Sequence, residues 1–124
     1  MQLADWLNSV AQKENQDIVE LNFVLMSDEK LLTYNKRYLN HDTYTDVITF
    51  DNSGSNNALC GDILMSYDRI RENAKQLGHT VSEELHRVMV HGLLHLCGHT
   101  DKTTANKTAM RQLESLYLLL PERP

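Results

Sequence analysis

Nowhere in this sequence do apolar residues run for the roughly 20 positions that a membrane-spanning helix requires, so a helical membrane protein is excluded and no membrane partner is expected. The opening segment, MQLADWLNSVAQKEN, lacks the basic start, the continuous apolar stretch and the small-residue cleavage site of a secretory leader. Cysteine is scarce. Cys60 and Cys97 are the only two, too few for a disulfide framework, and they read as reduced thiols of a cytoplasmic protein. Positive charge is in deficit as well: 12 Lys and Arg stand against 17 Asp and Glu, a formal charge of −5. No global basic field therefore invites nucleic acid, and a phosphate-rich partner would have to be met by a local patch. Internal repeats and low-complexity tracts are absent. What remains is a soluble chain of 124 residues, large enough to bury one core and read as a single domain over 1–124.

Leu3, Trp6, Leu7, Val10 and Ala11 recur at helical spacing and predict an amphipathic first helix. Ile18 to Ser27 is dense in β-branched and aromatic residues and reads as a strand. Ser27 or Asp28 then offers an N-cap to a helix carrying Leu31, Leu32, Asn35, Tyr38 and Leu39 on one face. After the polar break NHDTYT, DVITFD is a second strand. NSGSNN, Asn52 to Asn57, is a loop between paired strands, and ALCGDILMSY is a third strand. A helix through Ile70, Ala74 and Leu77 ends at Gly78, and Thr80-x-x-Glu83 forms a capping box for the next. The closing helix is amphipathic through Met110, Leu113, Leu116, Tyr117 and Leu120, all read as core, and stops before Pro121. Strands interleaved with helices predict an α+β fold: a small mixed sheet packed with helices, one of them central and buried.

That central helix contains VMVHGLLHLCGHTD, Val88 to Asp101. His91 and His95 are four apart, about 40° of rotation and roughly 6 Å of rise, so both rings hang from one face and their nitrogens can converge on one ion. The helix is apolar nearly all round, which marks it as buried. An unpartnered imidazole there would cost roughly 1–3 kcal/mol. Ordinary hydrogen bonds would satisfy the rings, and so would a metal.

Gly98, just past the helix, suits a left-handed turn that swings the chain back beside it. That makes Asp101 a natural third ligand, with His99 competing for the role. His-x-x-x-His-x-x-Gly-x-x-Asp is a compact pattern that fits one zinc ion. His86 is about 140° round the helix from His91 and reads as a hydrogen-bonding or surface residue; His41 and His79 sit near loops without an assigned role. In the His-Glu-x-x-His zinc proteases the glutamate is the general base, and Gly92 stands in that position here.

These residues resemble a known family. HGLLHLCGHTD is similar to the His-Gly-x-Leu-His-Leu-x-Gly-Tyr-Asp-His signature of the YbeY endoribonucleases, TDVITF to that family's Thr-Asp-Val-Leu-Ser-Phe, and CGDILMS to its Leu-Gly-Asp-Ile-x-Ile-Ser segment. LLTYNKRYLNHD resembles the helix that precedes those strands, and the blocks follow the family's order from Leu31 to Asp101. The resemblance implies a metal held by three residues, single-strand-specific cleavage of RNA, and work on ribosomal RNA and the ribosome in maturation and quality control. By position, His91 and His95 match the first two ligands and Asp101 the third, which is usually histidine. The family's phosphate-engaging arginine would fall at Leu39; Arg37, with Lys36 beside it, is the candidate substitute.

The expected chemistry is thus metal-assisted phosphodiester hydrolysis, with His91 in the catalytic centre and Arg37 neutralising phosphate. Asp46 or Asp62 is a candidate to orient a ligand histidine, although Asp46 also suits a turn cap and Asp62 a bulge. Tyr34, Tyr38 and Tyr44 are read as packing residues before base-stacking ones. Two other readings stand beside the ribonuclease: a zinc hydrolase of another substrate such as a peptide, and a non-catalytic ribosome-associated factor with a structural metal.

Overall fold

A computed structural model describes residues 2–53 and 57–124. The elements run α1 (Gln2–Lys13), β1 (Asp17–Met26), α2 (Asp28–Leu39), β2 (Val47–Asp51), β3 (Ala58–Ser66), α3 (Tyr67–Leu77), α4 (Val81–Leu96) and α5 (Thr104–Leu118). The helix starts follow from short polar side chains. Ser27 Oγ accepts the Lys30 N–H at 3.2 Å, and Thr80 and Glu83 close a reciprocal box at 3.0 and 3.1 Å, each satisfying a donor that the first helical turn leaves open. Residues 54–56 of the expected Asn52–Asn57 loop lie outside the described residues.

The sheet is mixed, in the order β1-β3-β2, with β1 parallel and β2 antiparallel to β3. Side chains alternate along β3 with the strand's two-residue period. Leu59, Ile63 and Met65 face one core with α1, α4 and α5, while Leu64 faces a second, smaller cluster with Met26, Leu31 and Ile48 under α2. The larger core includes Trp6, Val10, Val90, Leu93, Leu94, Met110 and Tyr117. The Trp6 indole N–H donates to the Tyr117 carbonyl at 2.9 Å, tying the first helix to the last without leaving a buried donor open.

α4 lies so close to β3 that a Cβ on Gly92 would sit 2.8 Å from the Ile63 Cγ2. The residue that cannot be a protease's glutamate is therefore a packing requirement: helix and sheet approach through the missing side chain. Of the core positions expected on α5, Met110 and Tyr117 are buried and Leu113 and Leu120 pack against the core, whereas Leu116 is 58% exposed, because the buried face runs through Met110, Glu114 and Tyr117. On α2 only Leu31 and Asn35 are buried; Tyr38 and Leu39 reach solvent. Asp62 marks no bulge. It pairs in regular register with Phe50, and the irregularity lies between Ile18 and Glu20.

Candidate metal centre

α4 is helical to Leu96, so His91 and His95 project from one face, their ring centroids 4.6 Å apart. Gly98 has φ +103°, the left-handed turn expected of it, and the His99 N–H bonds the Leu94 carbonyl at 3.0 Å. The reversal brings Asp101 back beside the two rings. His91 Nε2 and His95 Nε2 are 3.0 Å apart, and Asp101 Oδ2 lies 3.4 and 3.5 Å from them. Four ligands at zinc's usual 2.0–2.1 Å would stand about 3.3–3.4 Å from one another in a tetrahedron. The three donor atoms already form one face of such a figure, and among the described residues they are the group suited to hold a metal ion.

The other nitrogen of each ring is held by an acceptor. His91 Nδ1 donates to Glu114 Oε2 at 2.5 Å, and His95 Nδ1 to the His99 carbonyl at 3.1 Å. Each neutral ring therefore turns a lone pair inward on Nε2, where it meets the other lone pair and a carboxylate oxygen. Three acceptors converge with no donor between them, an arrangement that calls for a positive charge. Protonation shows the same demand. Burial disfavours a charged His91, but its hydrogen bond to Glu114 and the charges of Glu114, Asp46 and Asp101 outweigh that, and its pKa stands above the usual value. His95 moves down, first through burial and then through the charge of His91.

Glu114 is the residue that sequence reading missed. It is 3% exposed, and its second oxygen accepts from Arg87 Nη1 at 2.9 Å, while Arg87 Nη2 donates to Ser115 at 3.0 Å. A buried carboxylate survives because the Arg87 guanidinium and the His91 ring N–H share it. The available signal was a lone glutamate in register with Met110 and Tyr117 on the inward face of α5.

His99, the rival third ligand, is turned away: its Nε2 bonds Glu14 Oε1 at 2.6 Å, and Glu14 also accepts from the Tyr117 hydroxyl. Of the two candidate orienting aspartates, Asp62 faces the opposite side of β3, where Asn22 and Asn52 donate to it at 3.0 and 3.3 Å. Asp46 lines the cleft beside His91, but Glu114 takes the ring nitrogen; burial first raises its pKa, partly opposed by His91. Arg37 is not brought to this group. It lies over the Tyr38 ring at 5.5 Å and lines a separate groove on α2 with Lys30, Thr33 and Tyr34. His86 is buried against Trp6 and accepts from Arg123 at 3.0 Å. Tyr44 donates to Glu29 at 2.8 Å, and Tyr34 and Tyr38 stack at 5.7 Å.

A mixed sheet backing a buried helix that presents two imidazoles and a carboxylate at chelating distance defines an α+β protein with the helix-borne histidine pair common among metal-dependent hydrolases. Comparison with known proteins narrows the class. The chain belongs to the endoribonuclease YbeY family, whose profile matches residues 1–120. Endoribonuclease YbeY of Cytophaga hutchinsonii is 50% identical over 119 residues, covering 96% of this chain and 83% of that protein. The protein of the same name from Flavobacterium psychrophilum is 46% identical over 116 residues, 94% of this chain and 82% of its own. The solution structure of TM1509 from Thermotoga maritima aligns with a TM-score of 0.66 at 28% identity, covering 94% of this chain and 76% of that one. Among the described residues no helix is long and apolar enough to cross a membrane.

Proposed function

We propose that this chain is a zinc-dependent, single-strand-specific endoribonuclease that acts on ribosomal RNA, at the ribosome and in the cytoplasm, with residues 1–124 serving as one domain. The observation that carries the reading is the triangle of His91 Nε2, His95 Nε2 and Asp101 Oδ2 in a chain of a ribonuclease family. A zinc ion held there would supply Lewis acidity toward a phosphoryl oxygen and acidify water at neutral pH. Glu114 and the His99 carbonyl keep both imidazoles in the tautomer that offers Nε2. Asp46, Glu84, Arg87, Val88 and the α5 side chains form the remaining walls of a cleft of about 340 Å³ that opens onto His91 and Asp101. Arg37 lies in another groove, away from this cleft.

The test pairs elemental analysis of the purified protein with cleavage of single-stranded RNA by the wild type and His91→Ala. Near-stoichiometric zinc and activity lost in the variant are expected. Protein that carries no metal, or equal cleavage by the variant, overturns the proposal. A peptidase assay run alongside should be blank, since Gly92 offers no base; robust peptide hydrolysis would replace the ribonuclease with a different hydrolase. Metal-loaded protein that cuts neither substrate would indicate a structural metal.

A further inference from the structure

The chain as a whole repels polyanions, yet the cleft at the metal centre carries a cationic edge that no step described above employs. Positions 107, 110, 111 and 114 of α5 all line this cleft, the spacing of one helical face. The turn that buries Glu114 against His91 therefore also sets Lys107 and Arg111 at the cleft's mouth. Both are exposed. The chain's other arginines are engaged: Arg69 with Asp28, Arg71 with Asp68, Arg87 with Glu114, Arg123 with His86 and the Leu118 carbonyl, and Arg37 over Tyr38. The Arg111 side chain alone has no polar or aromatic partner among the described residues, and Lys107 has no ion pair.

We infer that Lys107 and Arg111 form a phosphate-binding edge that holds the RNA strand beside the bond to be cut. The cleft's walls hold four carboxylates, Asp46, Glu84, Asp101 and Glu114, against three cations, Arg87, Lys107 and Arg111. Without a metal the balance is negative, and a divalent ion reverses it. Arg87 is committed to Glu114, so the cations free to meet a phosphate are the two on α5. A guanidinium can take two phosphate oxygens in parallel, and the lysine adds a mobile point charge on the same path.

This inference rests on the ribonuclease reading, and the experiment separates the two. Binding of a fluorescein-labelled 2′-O-methyl oligouridine is followed by anisotropy across a salt series for zinc-loaded wild type, the Lys107→Ala/Arg111→Ala double variant and the charge-keeping Lys107→Arg/Arg111→Lys pair. Loss of two phosphate contacts predicts a log–log salt slope shallower by about 1.4, at roughly 0.7 per contact for a single strand. Affinity at low salt should fall by about tenfold or more in the double alanine variant and return in the charge-keeping one. Zinc content should stay at the wild-type level, showing that Glu114 and the donors are undisturbed. If wild type cuts RNA but the alanine variant keeps both affinity and slope, the phosphate edge is wrong and the ribonuclease reading stands. If the variant loses zinc, the two residues act through the metal centre instead, which also overturns the inference. Wild type that neither binds nor cuts RNA overturns both.

Discussion

At the residue scale, Glu114 is the side chain on which the centre's orientation depends. Partners that hold a ligand histidine typically account for about 10–100-fold in metal affinity. Glu114→Gln should weaken zinc binding by that order in a competitive-chelator titration, with helical content unchanged; an unaltered affinity would show that His91 holds its tautomer unaided. Asp101→Ala should abolish tight binding, whereas His99→Ala should leave zinc in place, because His99 is spent on Glu14. Retention of zinc by Asp101→Ala together with its loss from His99→Ala would reverse the assignment. His91, His95 and Asp101 were legible because they sit within one helix and its closing turn, where spacing alone fixes geometry. Glu114, 23 residues beyond His91, was not: its partner depends on how two helices pack, which local pattern does not encode. Asp62 failed for a simpler reason, since a residue next to Gly61 in a strand faces the opposite side.

At the scale of elements, the close seat of α4 on β3 makes a sharp prediction. Gly92→Ala gains about 1 kcal/mol of helix propensity, but the added methyl meets stiff, fully buried Ile63, and overpacking of that kind costs about 1–3 kcal/mol. The variant should be less stable in chemical denaturation, and equal or greater stability would refute the tight contact. A second link joins the starts of α2 and α3. Asp28 accepts from Ser66 Oγ at 2.8 Å and pairs with Arg69 at 3.0 Å. Burial pushes the Asp28 carboxyl upward, but the hydrogen bonds from Arg69 and Ser66 and the charge of Arg69 prevail and its pKa is lowered. A lowered folded pKa adds stability above the unfolded value, about pH 4, and loses it as pH falls through the folded one. Asp28→Asn should therefore melt several degrees below wild type at neutral pH, with the gap closing in acid. A gap independent of pH would mean that the ionised carboxylate contributes nothing. Helices and strands were readable in sequence from caps and periodicity, and parallel pairing of β1 with β3 was not, because strand order follows from contacts across α2 and β2.

For the whole molecule, the core stands without the ion. The three donors span only His91 to Asp101, so an ion there closes a short loop, while the large core of α1, α4, α5 and the sheet is built from apolar burial. Chelation should leave far-UV circular dichroism intact. It should lower the unfolding free energy by about 2.7 kcal/mol relative to protein held at a free zinc level 100 times the dissociation constant. Collapse to an unfolded chain would show that the fold depends on the ion.

The absent side chain at Gly92 has one more consequence. It works as a locating notch: Ile63 fills the gap, and the helix cannot turn about its long axis without driving a neighbouring residue into that branched side chain. The rotational setting that this keying enforces is the one that aims residues 91 and 95 at the cleft. A methyl group at 92, which would meet Ile63 rather than the cleft, should therefore loosen zinc as well as the fold, a coupling that titrating the metal against Gly92→Ala would expose.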